Sequence, residues 1–301
     1  MYDLIIIGGG PAGLTASIYA KRFGLETLLI EKLGTGGQVP LTDLIENYPG
    51  FPQGISGVEL ATNITEQAKK FNVEIINDEV VNVEFNEIKK VKTTFDVYES
   101  RGVIIATGAS PKKLNIPGEK EFTGRGVSYC AVCDAYFYKN RDVVVVGGGD
   151  SALTEALYLT TFVNKLYLVH RRDKFRAAQY LQEKVFNNKK IEIILNSELK
   201  EIKGYKRVEK VLIYNKEKGE NIELNVSGVF IYIGLTPNTE LFRNKINLDE
   251  NGFIITDEDM RTNIRFVYAA GDVRRKSLRQ IITACSDGAI AANTFCIDSC
   301  D

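Results

Sequence analysis

Four consecutive apolar residues, Leu4–Ile7, run into Gly8-Gly9-Gly10-Pro11-Ala12-Gly13, and apolar positions then recur at helical spacing over Leu14–Phe23. A short unbroken apolar run, a glycine turn and a period near 3.6 predict a buried strand, a tight turn and a helix. Thr27-Leu28-Leu29-Ile30 predicts a second buried strand, ended by Glu31. The same pattern returns far downstream. Val143–Val146 reads as a strand, Gly147-Gly148-Gly149-Asp150-Ser151-Ala152 as the turn and Leu153–Phe162 as a helix; Leu166–Val169 is the next strand, ended by His170-Arg171-Arg172. The separation is too long for a solenoid repeat. A duplicated βαβ unit predicts an α/β fold with two doubly wound dinucleotide-binding domains.

The chain carries two stretches of Pro with Gly or Asn, Lys113–Gly118 between the two units and Gly234–Asn238 after the second. Both have the punctuation of a crossing between domains. This predicts one domain, 115–240, inserted into another built from 1–114 and 241–301. Short strand candidates at Val73–Ile76, Val80–Phe85 and Val91–Tyr98 predict a β-meander added to the first unit. The stretch 190–233 predicts the same addition in the second.

Composition narrows the function classes. A chain of 301 residues with 44% hydrophobic and 26% charged content is long enough for two cores. The net charge of −1 supplies no electrostatic drive toward nucleic acid or a membrane surface. No apolar run approaches the ~18 residues of a spanning helix, and the N-terminus lacks a basic region before its apolar run. A cytoplasmic protein is expected. Five cysteines without a secretory signal do not form a disulfide framework. The single histidine, His170, excludes a histidine-based dyad elsewhere and a histidine-rich metal site.

Gly8-x-Gly10-x-x-Gly13 sits between a strand and a helix, the context that a dinucleotide fingerprint requires. The first glycine makes the turn, the second admits a pyrophosphate to the backbone, and the third packs helix on strand. Glu31, at the end of the next strand, is placed to accept the hydroxyls of an adenosine ribose. The second fingerprint, Gly147-x-Gly149-x-x-Ala152, has no such acid. His170, Arg171 and Arg172 stand at the equivalent strand end, with Arg176 one turn on. Guanidinium groups bind a 2′-phosphate with charge-assisted bonds, whereas a carboxylate would repel it. The second site therefore reads as NADP-type. His170 either stacks on adenine or caps the strand.

Cys130-Ala131-Val132-Cys133-Asp134 has redox spacing: two thiols two residues apart close a small ring and exchange with other disulfides. A zinc site would need a second pair of ligands at finger-like spacing, and there is none. Asp134 is the nearest acid for a departing thiolate. Three further segments point to a flavin. Ile104-Ile105-Ala106-Thr107-Gly108 and Val267-Tyr268-Ala269-Ala270-Gly271-Asp272 are apolar strands ending in small residues, the second followed by an acid able to bond a ribityl chain or pyrophosphate. Gly36-Gly37-Gln38 and Glu46-Asn47-Tyr48-Pro49-Gly50-Phe51 form a loop in the first unit.

Together these motifs resemble the low-molecular-weight thioredoxin reductases, in order and spacing, from Tyr2 to about Asn293. His170–Ala177, Gly234–Asn238 and Arg279-Gln280 belong to the same resemblance. It implies FAD on the discontinuous domain, with Gly8, Gly10, Gly13, Glu31, Gly37, Gln38, Asn47, Thr107, Gly108, Gly271, Asp272, Arg279 and Gln280 as candidate contacts. It implies NADPH on the inserted domain, at Gly147, Gly149, Ser151, Ala152, His170, Arg171, Arg172 and Arg176. It further implies a homodimer, thioredoxin as partner, and a rotation between domains that presents the flavin to nicotinamide and disulfide in turn. By the same analogy Cys133 faces the flavin, Cys130 attacks thioredoxin and Asp134 is the acid.

The chain departs from the family pattern at Val132, where Thr is usual, and at Thr154, where Glu is usual. Cys285 occupies a small-residue position, and Cys296 and Cys300 are spaced i, i+4 on an expected terminal helix. The competing readings are a reductase of the same design for another protein disulfide, one with a ferredoxin-like donor, and a non-enzymatic flavin-binding sensor.

Overall fold

The computed structural model describes residues 1–42 and 44–300. The chain divides into two compact units: Met1–Ser110 with the chain from Thr236 onward, and Pro111–Leu235 between them.

The first unit opens with β1 (Tyr2–Ile7), α1 (Pro11–Arg22) and β2 (Thr27–Glu31). Then follow α2 (Gly57–Lys70), β3 (Glu74–Asn77), β4 (Val80–Phe85), β5 (Lys89–Thr93) and β6 (Val97–Ile105). Strands β3, β2, β1 and β6 lie side by side in parallel. β6 is long because it serves two neighbours on one edge. Its first half pairs antiparallel with β5, and its last three residues, Val103–Ile105, pair in parallel with a strand from the far end of the chain. The central strand is buried on both faces, which is why its sequence is an unbroken apolar run. Leu4 and Ile6 join Leu14, Ala16 and Phe295 on the helix side; Ile5 and Ile7 join Leu28, Val91 and Val103 on the other. Truncating any one of the leucines or isoleucines among these to Ala costs roughly 2–5 kcal/mol.

The stretch expected as one strand over Val91–Tyr98 is two strands with a turn between them. Thr93 and Asp96 exchange hydrogen bonds across it: the Thr93 amide and hydroxyl donate to Asp96 O, and the Asp96 amide donates to Thr93 Oγ1. Phe95, which made the run look apolar, is 82% exposed at the tip.

β7 (Ala109–Pro111) leads into the second unit, which contains α3 (Glu119–Phe122), β8 (Val127–Ser128), α4 (Ala131–Asp134), β9 (Asp142–Gly147), α5 (Asp150–Leu159) and β10 (Lys165–Val169). α6 (Gln179–Phe186), β11 (Ile191–Ile194), β12 (Ser197–Gly204), β13 (Val208–Asn215), β14 (Glu220–Asn225) and β15 (Gly228–Tyr232) complete it. A five-stranded parallel sheet has the order β11-β10-β9-β15-β8, and β12-β13-β14 form a separate antiparallel sheet. Alternation along β9 again divides two layers. Val143 and Val145 pack with α5 residues Leu153 and Ala156, while Val144 and Val146 pack with Leu199, Val211 and Ile213 of the antiparallel sheet.

The chain leaves the first unit at Ser110–Pro111, upstream of the Lys113–Gly118 stretch. That stretch is fastened inside the second unit. Leu114 and Asn115 amides donate to the buried Glu119 carboxylate at 2.9 and 2.6 Å, and Tyr129 donates to it at 2.9 Å. The return is at Leu235–Thr236, within β16 (Leu235–Pro237). Asn238 already belongs to the first unit, where its amide donates to Gly108 O at 3.0 Å and its side chain to Thr107 O at 2.7 Å. β17 (Val267–Ala269) is the strand beside β6, and α7 (Ile281–Asp298) closes the fold. Cys296 lies in α7 but Cys300 follows its end, so the two thiols do not share a helix as their spacing suggested.

Candidate active site

In the first unit the glycine turn packs without slack. Gly8 has φ +109°, and a Cβ there or at Gly13 would overlap the Ala106 or the Gly8 carbonyl oxygen, respectively. Gly10 is different: among the described residues the only atom within contact of a Cβ there is Gly37 Cα, at 3.9 Å. The turn is therefore closed on the sheet side and open over Gly10. α1 begins at this open point with no side-chain cap, and its leading amides face outward with the positive end of the helix dipole. Glu31 reaches the turn from the end of β2. One carboxylate oxygen accepts Gly9 N at 2.7 Å and the other accepts Leu33 N at 3.0 Å. Each oxygen keeps a second acceptor site for a ligand hydroxyl.

Around this opening the unit gathers most of the other expected residues. Gln38 donates to Ala109 O, Asn47 donates to the Gln280 side chain at 3.0 Å, and Gln280 caps α7 in a reciprocal box with Thr283. Thr107 Oγ1 donates to Asn238 O at 2.7 Å, and Gly108 takes φ +69°. α1 and α7 touch backbone to side chain: a Cβ at Gly288 would overlap Ala12 O, and one at Gly271 would stand 2.8 Å from Ala12 Cβ. The Gly271-Asp272 turn is held from α7 by Asp287, which accepts Gly271 N at 3.0 Å. Lys276 at 2.7 Å and Arg274 at 3.3 Å neutralise Asp287 in its buried position. Cys285 sits near Tyr48 and Pro11 O at 3.9 and 4.0 Å.

Two polar atoms here, Asp272 Oδ1 and Arg279 Nε, are buried without a hydrogen bond to any of the described residues. Burial pushes the Asp272 carboxyl up despite Lys276 and Arg279, and it pulls the Arg279 guanidinium down. Arg279 instead lies over the Phe253 ring, 4.2 Å from its centroid. An unmet buried acceptor and donor cost about 1–3 kcal/mol each. A ligand that offers a hydroxyl to one and an oxygen to the other fits this cradle.

The second unit repeats the turn with different chemistry. α5 starts after Gly149, again without a side-chain cap, and Ala152 is fully buried beneath Gly147. His170 occupies the place of Glu31. Its buried ring fills the space over Gly148, where a Cβ would overlap it, and Nε2 lies 3.1 Å from Lys174 O. Burial holds its pKa below the usual value, and the Arg176 and Arg172 charges push the same way. The following loop folds over the turn, with Arg176 N donating to Gly148 O at 2.8 Å and Ala178 N to Asp150 at 2.7 Å. Arg171, Arg172 and Arg176 are exposed, and among the described residues none has a carboxylate partner. Ser151 is exposed at the same mouth.

Cys130 and Cys133 form a disulfide, with Cα atoms 5.3 Å apart. They bracket α4, a single turn with Cys130 at its N-cap; Cys133 N donates to Cys130 Sγ at 3.2 Å. Asp134 is held by Ser128, whose hydroxyl donates to Oδ2 at 2.6 Å and receives Cys130 N at 3.1 Å. The Ala131 amide between the sulfurs donates to Tyr232 Oη, a hydroxyl driven well up by burial with Glu155 and Asp134 adding to it.

This pair and the two glycine turns occur together in known proteins. Residues 2–288 match the family described as pyridine nucleotide-disulphide oxidoreductase. The chain belongs to this family. It is 47% identical over 299 residues to the thioredoxin reductase of Peptoclostridium acidaminophilum, a match that spans 97% of this chain and 95% of the relative. The thioredoxin reductase of Bacillus subtilis (strain 168) is 48% identical over 296 residues, spanning 98% and 93%. The crystal structure of thioredoxin reductase from Streptococcus pyogenes MGAS5005 superposes with a TM-score of 0.92 at 49% identity, covering 99% of this chain and 98% of that one. The chain is thus an oxidoreductase with two Rossmann-like nucleotide-binding units. Among the described residues no helix is long and apolar enough to cross a membrane, and no cluster of His, Cys, Asp or Glu could hold a metal.

Sequence reading missed four residues that the fold brings to these sites: Ser128, Glu155, Tyr232 and Asp287. None belongs to a motif of fixed spacing. The only signal was chemical: a carboxyl on each of two otherwise apolar helix faces, α5 and α7.

Proposed function

We propose that this chain is an NADPH-dependent thioredoxin reductase that uses FAD and the Cys130–Cys133 pair. The observation that carries the reading is the disulfide itself, set on a one-turn helix beside Asp134 in a unit whose glycine turn is followed by a loop of three exposed arginines with no carboxylate partner among the described residues. FAD belongs to the first unit. Its pyrophosphate would be held at the start of α1 over Gly10, with Gly8 and Gly13 shaping the turn, and its adenosine ribose by Glu31. A bound flavin nucleotide would meet Asp272 Oδ1 with a hydroxyl and Arg279 Nε with an oxygen, and Gly37, Gln38, Asn47, Thr107, Gly108, Gly271 and Gln280 would line the rest. NADPH belongs to the second unit, with its pyrophosphate at Gly147, Gly149, Ser151 and Ala152, and its 2′-phosphate at Arg171, Arg172 and Arg176. His170 braces that turn.

When bound, the flavin supplies two-electron transfer between a nicotinamide hydride and the disulfide. The protein's own part is thiol exchange. In the reduced pair Cys130, as thiolate, attacks the partner disulfide and forms a mixed disulfide, releasing one partner sulfur. Cys133 then attacks Cys130, restores their bond and releases the second partner sulfur. The two departing thiolates take up two protons, one of them from Asp134. A cytoplasmic homodimer completes the reading.

A coupled assay with purified protein, NADPH, thioredoxin and a chromogenic disulfide tests it. Thioredoxin-dependent turnover is expected; a protein that leaves thioredoxin oxidised, with NADPH and FAD in excess, ends the reading.

A further inference from the structure

Ser128 ends β8 and stands two residues before Cys130. The sheet fixes its backbone, which lies in register with Phe230 of β15, and its side chain is buried. A buried hydroxyl must place both its proton and its lone pairs. Its oxygen accepts Cys130 N at 3.1 Å. The single proton has two acceptors in range, Asp134 Oδ2 at 2.6 Å and Cys130 O at 3.2 Å. The shorter distance, and the stronger bond that a carboxylate accepts, assign the proton to Asp134. Asp134 N in turn donates to Cys130 O at 3.2 Å. A local turn needs only the first of these contacts, because a serine that accepts the amide two residues on already closes it. The bond to Asp134, six residues on, is a further commitment of the same hydroxyl.

We propose that Ser128 is a positioning residue for proton transfer, holding the Asp134 carboxyl in one orientation against the Cys130 backbone. The inference rests on reading Cys130–Cys133 as the redox centre and Asp134 as its acid. In the exchange the Cys130 thiolate bonds to one partner sulfur, the partner S–S bond breaks, and the other sulfur leaves with the electron pair. Asp134 gives that sulfur a proton and becomes a carboxylate. Cys133 loses its proton to solvent and displaces the first partner sulfur from Cys130. Solvent then protonates that sulfur and restores the proton of Asp134. The Ser128 hydroxyl bonds more strongly to a carboxylate than to a neutral carboxyl. It therefore favours the state after proton transfer over the state before it, and only such a differential lowers a barrier. With Oδ2 accepting this bond, the transferable proton is directed to Oδ1. Loss of the hydroxyl removes the differential and releases the carboxyl to rotate.

The test uses the full-length holoenzyme, reduced with dithiothreitol and freed of it by gel filtration. It is mixed with excess oxidised thioredoxin and quenched with acid at successive times, and reduced thioredoxin is counted by thiol alkylation. Asp134→Asn should slow the saturating rate roughly a hundredfold, as loss of a general acid does. Ser128→Ala should slow it about tenfold, the worth of one charge-assisted hydrogen bond, with the thioredoxin concentration at half-saturation unchanged. Ser128→Thr keeps the hydroxyl and should restore most of the rate. The deciding comparison is the double variant. Ser128→Ala added to Asp134→Asn should slow the reaction by less than about twofold more, because the carboxyl it acts through is gone. The same tenfold loss in both backgrounds would mean that Ser128 acts on the fold alone, and overturns the proposal. An Asp134→Asn protein as fast as the wild type overturns it too. Should Ser128→Ala fail to fold, Ser128→Thr and Ser128→Val differ in the hydroxyl at similar size, and equal rates for that pair are again fatal. A wild-type protein that reduces thioredoxin while its variants are additive defeats only this proposal. One that does not reduce thioredoxin defeats the functional reading beneath it.

Discussion

The two glycine turns are copies of one device, and their middle glycines show where they part. Glu31 and His170 hold equivalent places at the end of the second strand, and each lies on the middle glycine of its turn. A Cβ at Gly9 would stand 2.9 Å from Glu31 Cβ, and one at Gly148 would overlap the His170 ring. The steric role is the same in both units. The electrostatic role is not. Glu31 keeps a charge at the turn and accepts Gly9 N and Leu33 N, whereas His170 is buried with its pKa pulled down. In the second unit the charge has moved outward to Arg171, Arg172 and Arg176, which are exposed and have no carboxylate partner among the described residues. A strand-end residue can thus be retained for packing while the task of reading the ribose passes to the loop after it.

The largest effect that separates the units is loss of the disulfide. Cys130→Ser or Cys133→Ser should abolish thioredoxin reduction while NADPH still bleaches the flavin in a stopped-flow experiment; parallel loss of both half-reactions would mean that the pair is not a separable station. Next is the double replacement Arg171→Gln with Arg172→Gln. Charge-assisted bonds contribute roughly 1.5–3 kcal/mol each. Exposure and screening remove about half of this, leaving at least about a tenfold preference for NADPH over NADH. The variant should lose that preference through KM for NADPH, with NADH almost unaffected. If the wild-type protein uses both nucleotides equally, the arginines are a solvated turn; if neither nucleotide reduces the flavin, a ferredoxin-like donor becomes the better reading. The smallest effect is expected for Glu31→Gln. It retains the packing on Gly9 and loses only the charge, so FAD retention measured by dialysis should weaken a few-fold, on the order of 0.5–1.5 kcal/mol. Unchanged retention would reduce Glu31 to the purely steric role that His170 fills.

The duplicated core was legible because strands buried on both faces leave an unbroken apolar signature before a glycine turn. The cysteine pair, Asp134, Glu31 and the arginines were legible for a related reason: their chemistry is local in sequence. What was hidden is what acts across space. Tyr232 reaches the redox turn from β15 with Glu155 of α5 acting on its hydroxyl, and Asp287 holds the Gly271-Asp272 turn from α7. The turn over Thr94–Asp96 was hidden because it contains no Gly, Pro or Asn and exposes a phenylalanine. The meanders also differ in a way that patterning does not encode. In the first unit the extra strands continue the main sheet through β6, while in the second β12–β14 stand as a sheet of their own.

The interlock of α1 with α7 also has a bearing on the order in which the protein is made. α1 is among the first elements synthesised and α7 follows every other one, yet Gly288 lies against Ala12 O and β17 fills the edge of β6. The inserted unit, Pro111–Leu235, is contiguous and complete in its own sheets before either of those late elements exists. Domains generally fold as units during synthesis. A nascent chain therefore passes through a stage in which its cysteine-bearing unit is finished and its first unit still waits, with one face of α1 uncovered, for the residues that will cover it.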